Sequence, residues 1–196
     1  MLYFCNMLTN QLLSTILIGA FVFIIATQLF YYLFFFLRLA FYKKKTKLVN
    51  VEHPISVVIC ARDEAHNLAN NLPGVLVQQY STTHEVVLVN DNSEDETKYL
   101  IEEFKKSFKN LNPVLLSQEA KMINGKKFPL SIGIKSAKNE TLLLTDADCV
   151  PASEHWMQLM QDGYDDDIEI VLGYGAYRKK PGILNKLIRF ETFQTA

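Results

Sequence analysis

Charged side chains are absent from the first 37 of the 196 residues. No lysine or arginine precedes the apolar run of residues 12–37, so the chain lacks the basic n-region of a cleaved signal peptide. The run is longer than the about 20 apolar residues that cross the hydrocarbon core of a bilayer. A buried core helix, the alternative, would show a polar face over such a length. The sequence therefore predicts one transmembrane helix over residues 12–37, after a short non-cytoplasmic tail of residues 1–11.

Positive charge flanks this run on its C-terminal side. The basic residues there are Arg38, Lys43, Lys44, Lys45 and Lys47. Because basic flanks stay in the cytoplasm, we expect a single-pass protein of the inner or plasma membrane with its N-terminus outside. Residues 38–53 are then a basic juxtamembrane linker beside anionic headgroups, and residues 54–196 form a cytoplasmic domain.

Cysteine is scarce and the net charge is small. Cys5, Cys60 and Cys149 form no Cys-x-x-Cys pair, which favours free thiols. The formal net charge of −1 gives no indication of nucleic-acid binding. The phosphate-binding pattern Gly-x-x-x-x-Gly-Lys-Ser/Thr is also missing, so the string Asp-Glu-Ala-His at residues 63–66 does not indicate a helicase.

Short apolar runs alternate with amphipathic segments after residue 54. Strands are predicted over residues 55–61, 85–89, 113–116, 142–144 and 169–172. Helices are predicted from about residue 64 to an interruption near Pro73-Gly74, and then over residues 94–109, 131–138, 154–161 and 182–195. This alternation predicts an α/β domain with a largely parallel sheet.

Acidic side chains follow three of the predicted strands. Glu64 follows the first, Asp91 the second, and the Asp-x-Asp of Asp146 and Asp148 the strand of residues 142–144. Ligands of such sheets bind at the carboxyl ends of the strands. Residues two apart on an extended chain face the same way, and two such carboxylates repel unless a cation lies between them. Mg²⁺ or Mn²⁺ would bind both and leave positions for substrate phosphates.

Four segments, in this order, resemble the motifs of family 2 glycosyltransferases. They are PISVVICARDE at residues 54–64, VVLVNDNSED at 86–95, GKK at 125–127 and LLLTDADC at 142–149. The resemblance implies a GT-A (Rossmann-like) fold with a mostly parallel sheet. It also implies metal-dependent, inverting transfer of a sugar from a nucleotide-diphosphate donor, usually a UDP-sugar, to a glycan or lipid-linked acceptor.

The resemblance assigns the donor contacts residue by residue. The donor-binding positions that it implies are Ala61, Arg62, Glu64, Asn90, Asp91, Lys126, Lys127 and Asp146, with Asp148 and Asp146 at the metal. Three positions depart from the family pattern. Asp63 replaces Asn, Asn90 replaces Asp, and Asn92 replaces Gly at a turn whose positive φ Asn tolerates.

The carboxylate that deprotonates the acceptor in an inverting enzyme is missing. In the family it lies in a Glu-Asp pair well beyond the Asp-x-Asp, often followed by Gln-x-x-Arg-Trp, and neither occurs in these 196 residues. We therefore expect a domain that is incomplete at its C-terminus. One alternative is a membrane-tethered nucleotide-sugar binder, alone or with a partner subunit. The other, a sugar-nucleotide nucleotidyltransferase, is disfavoured because residues 60–64 form no Gly-rich basic loop.

Three secondary features have simpler interpretations. The acidic residues 162 and 165–167 predict a solvated turn rather than a second metal site. Cys149 is expected to be buried and inert, because a hard oxygen site does not favour a thiol. The amphipathic segment 182–195 could lie on the membrane surface or pack against the sheet.

Overall fold

The computed structural model describes residues 2–41, 53–117, 125–164 and 168–195. Its contacts divide the chain into two units, Met1–Leu48 and Val49–Ala196.

Helix α1, Leu2–Ala40, makes up the first unit. Its segment Gln11–Arg38 is 28 residues long and contains an 18-residue window with a mean hydropathy of 2.2, and a helix of 28 residues measures about 42 Å. The segment is therefore long and apolar enough to span a membrane. The hydroxyl of Thr27 donates to the Phe23 carbonyl at 2.8 Å, so this polar group is satisfied inside the helix. The helix begins at Leu2, so the predicted tail of residues 1–11 is helical from Leu2 on.

Four parallel strands form the sheet of the second unit. They are β1 (Ile55–Ala61), β2 (His84–Asp91), β3 (Leu111–Leu116) and β4 (Thr141–Asp146), in the order β3-β2-β1-β4. The parallel α/β prediction is confirmed. In this register Cys60 lies beside Asp146, and Ala61 lies beside Asn90. The carboxyl ends of β1, β2 and β4 therefore meet at one edge of the sheet.

Five helices accompany the sheet in the described residues. They are α2 (Ala65–Leu76), α3 (Thr97–Ser107), α4 (Lys127–Ser136), α5 (Trp156–Gln161) and α6 (Ile183–Thr195). Each was predicted, although α4 begins at Lys127, earlier than residue 131.

Apolar side chains are buried on both faces of the sheet. Val57 and Ile59 belong to a large core cluster that also includes residues of α2, α3 and α5. Val58, which points to the other face, packs with Val87 and Val89 in a smaller cluster. A parallel sheet covered on both faces explains why its strands are continuous apolar runs.

The predicted interruption at Pro73-Gly74 is wrong. Helix α2 continues through Pro73 to Leu76, and the backbone N–H of Val77 still donates to the Pro73 carbonyl at 3.1 Å. Leu72, Val75 and Leu76 are buried on this turn. Their packing offsets the backbone hydrogen bond that proline cannot make.

The strand predicted at residues 169–172 is also absent, since the described residues from 168 to 180 contain no strand or helix. Ile170 and Leu172 are 77% and 88% exposed, so these two side chains do not lie in a core. The run at residues 142–144 does form a strand, but β4 is an outermost strand of the sheet, and Leu144 is half-exposed there instead of buried.

Candidate functional site

A tight turn follows β4 and carries the Asp-x-Asp. Asp146 is the last residue of the strand, and the backbone N–H of Cys149 donates to its carbonyl at 3.1 Å. One ligand atom each of Asp146, Asp148 and Cys149 can be chosen so that all lie within 4.8 Å of one another. The turn, rather than the alternation of an extended strand, brings the carboxylates together. The two carboxylates are therefore close together, as expected, but the reason given for it, an extended strand, was wrong.

Two exposed carboxylates at this separation fit a hard divalent cation. Oxygen donors suit Mg²⁺ and Mn²⁺, and the exposed position leaves room for water or phosphate oxygens in the remaining coordination sites. The donor set therefore fits the metal that the sequence implies, with Asp146 and Asp148 as its ligands.

Lys126 lies beside the same turn. Its ammonium forms an ion pair with the carboxylate of Asp146, and both side chains are about half-exposed. The hydrogen bond to Asp146 raises the pKa of Lys126, against the desolvation that lowers it. Lys127, the next residue, is exposed in the first turn of α4. Of the predicted lysine pair, the structure brings Lys126 into contact with the Asp-x-Asp.

The loops after β1 and β2 interlock. The N–H of Glu94 donates to Asp63 Oδ1 at 2.7 Å, and the N–H of Asp63 donates to Ser93 Oγ at 2.9 Å. Asp63 and Asn92 adopt positive φ angles of 54° and 51°. The positive φ expected at Asn92 is confirmed, and aspartate is another residue type that tolerates this region. The departures of Asp63 and Asn92 from the family pattern therefore suit the backbone of these loops.

Asp95 joins the two loops a second time, and sequence reasoning gave it no role. Its carboxylate accepts from the N–H of Ala65 at 3.1 Å and from the N–H of Thr97 at 2.9 Å. Desolvation raises the pKa of Asp95, but the hydrogen bonds from Thr97 and Ala65 outweigh it and hold the pKa below its usual value. The available signal was the aspartate itself, since an aspartate side chain often accepts from the backbone N–H two residues on and so forms a turn.

The remaining predicted donor residues lie on or next to these strand ends. Asp91 ends β2 and is buried, and Arg62 is exposed beside Asp63. The side-chain oxygen of buried Asn90 accepts from both the N–H and the hydroxyl of Ser93, at 3.1 and 2.6 Å. Asn90 therefore holds the loop in shape, a role that the sequence did not suggest. Glu64 precedes α2 and accepts from Asn67 at 2.5 Å.

Cys60 and Cys149 both lie at this edge. Burial raises the pKa of the Cys60 thiol, and nearby Lys126 opposes that shift. Cys149 was expected to be buried but is exposed. Partial desolvation and then the charge of Asp148 raise the pKa of its thiol. The expectation failed because the turn projects Cys149 outward along with the two acids.

Of the predicted acidic turn, Asp162 is described and accepts from Gln158 at 3.2 Å. Residues 165–167 lie outside the described residues.

Comparison with known proteins identifies the family of this chain. The family model described as Glycosyl transferase family 2 matches residues 56–192. The chain belongs to glycosyl transferase family 2. The match spans every strand except the first residue of β1, and it includes the Asp-x-Asp turn, so the domain is that of a family 2 glycosyltransferase with the GT-A fold.

Curated relatives within this family are longer than the chain. It is 30% identical over 149 residues to a poly-β-1,6-N-acetyl-D-glucosamine synthase of Staphylococcus epidermidis, a match that covers 74% of the chain and 35% of the relative. It is also 30% identical over 105 residues to the glycosyltransferase AglE of Haloferax volcanii, covering 53% of the chain and 33% of that protein. The chain thus spans about a third of the length of these relatives.

A solved structure shares the fold. A mannosyltransferase from Pyrobaculum calidifontis, in complex with GDP-Man and Mn²⁺, superimposes with a TM-score of 0.52 at 21% identity. The likeness covers 63% of this chain and 36% of the mannosyltransferase. The likeness shows that this chain shares the fold of that mannosyltransferase.

Proposed function

We propose that this chain forms the donor-binding half of a membrane-anchored glycosyltransferase. The reaction is the metal-dependent, inverting transfer of a sugar from a nucleotide-diphosphate donor, a UDP-sugar, to a glycan or lipid-linked acceptor. The observation that carries the proposal is the convergence of Lys126, Asp146 and Asp148 at the carboxyl edge of a parallel sheet. Two acids and one lysine at a single edge suit a diphosphate that arrives with a divalent cation.

The Asp-x-Asp turn would hold the metal. Asp148 is its principal ligand and Asp146 lies on the same side, next to the ribose or to a metal-bound water. A bound Mg²⁺ or Mn²⁺ supplies a Lewis acid that neutralises the charge developing on the departing nucleotide diphosphate. That the Pyrobaculum mannosyltransferase was solved with Mn²⁺ supports a divalent ion here.

Lys126 supplies a second positive charge to the phosphates. Its side chain is half-exposed and reaches Asp146, so its ammonium lies at the edge where the phosphates would bind. A lysine acts in this role as a compact point charge. Lys127 follows it on the exposed first turn of α4 and would contribute a more distant charge.

The nucleoside would lie against the ends of β1 and β2. Asp91 and Asn90 meet the base and ribose, and Ala61, Arg62 and Glu64 line the adjoining edge. Their placement is supported by the pairing of Ala61 with Asn90 across the two strands. Held in this way, the donor would present its anomeric carbon to the acceptor, which is how positioning lowers the barrier of a transfer reaction.

The acceptor and the sugar follow from the relatives rather than from the site. The named product of the Staphylococcus relative is a polymer of N-acetylglucosamine, which supports a polysaccharide acceptor and an N-acetylhexosamine donor. No Glu-Asp pair and no Gln-x-x-Arg-Trp segment follow the Asp-x-Asp within these 196 residues. We therefore place the general base in a segment of the kind that the longer relatives carry beyond the matched third, or in a partner subunit.

Helix α1 would anchor the enzyme, with residues 1–11 outside, residues 12–37 in the bilayer, residues 38–53 as linker and residues 54–196 in the cytoplasm. The uncharged N-terminal flank supports this orientation. Protease treatment of intact spheroplasts should remove an N-terminal epitope tag and spare a C-terminal one. The reverse pattern would contradict the orientation.

Calorimetric titration of UDP into the full chain in detergent micelles tests the donor site. We expect binding that requires Mn²⁺ and that Asp148→Asn abolishes, because the amide removes one ligand charge from the metal. Glu140→Gln is the matched control, since Glu140 is exposed and lies just before the opposite, amino end of β4. A folded chain that binds no UDP with or without Mn²⁺ would contradict the proposal.

A further inference from the structure

Helix α2 carries a buried polar side chain that reaches the Asp-x-Asp turn. Asn71 is 8% exposed, and its Nδ2 donates to the carbonyl of Ala147 at 3.0 Å across 76 residues of sequence. Ala147 is the residue between Asp146 and Asp148, and it is itself buried. A buried amide costs free energy unless it is hydrogen-bonded. The contact therefore fixes where the Ala147 carbonyl lies.

A second buried amide side chain, that of Gln78, hydrogen-bonds to the chain farther beyond β4. Gln78, which follows α2, is 7% exposed and donates to the Ser153 carbonyl at 3.0 Å. Its side-chain oxygen accepts from the N–H of Met157 at 3.2 Å. The buried amide side chains of Asn71, in α2, and of Gln78, just after it, thus hydrogen-bond to the part of the chain that follows β4. Asn71 acts at the Asp-x-Asp turn and Gln78 acts beyond it.

We propose that Asn71 is a positioning residue for the metal site, an inference that rests on the proposed metal-dependent donor site. By holding the Ala147 carbonyl inward, its amide keeps the side chains of Asp146 and Asp148 on the outer side of one turn. Both carboxylates then face a single cation. Because divalent ions require oxygen ligands within narrow distance limits, a turn free to rotate would present one carboxylate at a time.

The placement of Asn71 also links the two parts of the site. Helix α2 begins directly after Glu64, at the edge where the nucleoside would lie, and Asn71 lies in its second half. The N–H of Glu64 donates to Thr97 Oγ1 at 3.1 Å, which ties the start of α2 to the start of α3, the helix that follows β2. The helix therefore sets the position of the metal turn relative to the strand ends that would bind base and ribose.

A purely structural role predicts a different result from a positioning role. If Asn71 contributed only stability, its replacement would lower the unfolding temperature and leave the metal affinity of the folded chain unchanged. Gln78 provides the matched control. It is an equally buried amide with long-range backbone partners, and it lies outside the Asp-x-Asp turn.

The experiment measures Mn²⁺ binding by the electron paramagnetic resonance of the free ion. The full chain in detergent micelles is compared with Asn71→Leu and Gln78→Leu, and the unfolding temperature of each is recorded. Leucine has the same branched shape as asparagine, and at either position it removes the amide donor. We expect Asn71→Leu to weaken Mn²⁺ binding about tenfold, as is typical when a residue that orients a metal ligand is lost. Gln78→Leu should lower the unfolding temperature and leave the Mn²⁺ affinity unchanged.

Four outcomes would overturn the inference. Unchanged affinity in Asn71→Leu assigns Asn71 to stability alone, and equal weakening in both variants indicates a general loosening of the segment. A chain without substitutions that binds no Mn²⁺ contradicts the proposed donor site, and with it the role of Asn71. Should Asn71→Leu fail to fold, Asn71→Ser, whose shorter hydroxyl does not span the same distance, is expected to weaken Mn²⁺ binding in its place. Unchanged affinity in Asn71→Ser would equally overturn the inference.

Discussion

Lys126 and Asp146, 20 residues apart in sequence, form an ion pair at the carboxyl edge of the sheet. Lys126 immediately precedes α4, and Asp146 is the last residue of β4. The ammonium is thus paired with one of the two carboxylates that would bind the metal. In the proposed donor site, a cation bound by Asp146 would compete with Lys126 for this carboxylate and leave the ammonium available to a phosphate, so the two binding events would be coupled.

The first prediction concerns this lysine. Lys126→Met should weaken the binding of UDP about tenfold, because a charge-assisted hydrogen bond to a phosphate contributes about 1.5–3 kcal/mol. It should leave the binding of uridine unchanged, since uridine has no phosphate. Calorimetry with both ligands in the presence of Mn²⁺ provides the measurement.

Lys106→Met is its control, because Lys106 is exposed on α3 and pairs with Glu103 at 3.7 Å. An equal loss of uridine and UDP affinity in Lys126→Met would argue against a phosphate contact.

The second prediction concerns the contact between α4 and the sheet. A Cβ on Gly133 would lie 2.6 Å from Val58 Cγ1 and 2.9 Å from Val89 Cγ2. Gly133→Ala should therefore lower the free energy of unfolding by about 1–3 kcal/mol, the usual cost of overpacking a core. This loss would appear although alanine favours a helix by about 1 kcal/mol over glycine. Urea unfolding gives the difference.

Gly175→Ala serves as the comparison for that substitution, because a Cβ there has nothing within 4 Å. A Gly133→Ala variant as stable as the chain with glycine would show that α4 can move away from the sheet.

The third prediction concerns a buried acid at the amino end of the sheet. Glu85 is 7% exposed, and its Oε1 accepts from Ser56 Oγ at 2.7 Å and from the N–H of Lys138 at 2.6 Å. Glu85→Leu should cost about 3 kcal/mol of unfolding free energy, because it leaves both donors without this acceptor. Glu85→Gln, which keeps one acceptor oxygen, should cost less. Equal losses in the two variants would mean that packing, rather than hydrogen bonding, determines the effect.

The fourth prediction concerns pH. Burial lowers the pKa of His84, against a hydrogen bond to the Leu76 carbonyl that raises it. The unfolded chain, with a histidine pKa of about 6.5, then binds more protons than the folded chain just below that value. Stability contributed by neutral His84 is present above about pH 6.5 and is lost as the pH falls toward the lowered pKa of the folded state.

Unfolding free energies measured between about pH 5 and 8 should therefore show a smaller slope in His84→Gln than in the chain with histidine. An identical slope in the two proteins would contradict the burial of neutral His84.

Local patterns in the sequence identified most of the secondary structure. The β-branched run of residues 55–61 became the central strand β1, because such side chains pack on both faces of a parallel sheet. The segment 169–172 also contains β-branched residues but forms no strand, since pairing depends on a neighbour that no local pattern specifies. Pro73 likewise failed as a helix terminator, because buried neighbours on the same turn stabilise α2.

The sequence by itself determined that the chain carries a long uncharged apolar segment, alternates strands with helices, and bears acids after its strands. Each of these features is local, so composition and periodicity reveal it. Only the tertiary structure decided that β1 lies between β2 and β4, that Lys126 meets Asp146, and that Asn71 reaches the carbonyl of Ala147. These contacts join residues far apart in sequence. They depend on strand order and on the packing of α2 and α4. Local periodicity in the sequence reveals neither of these.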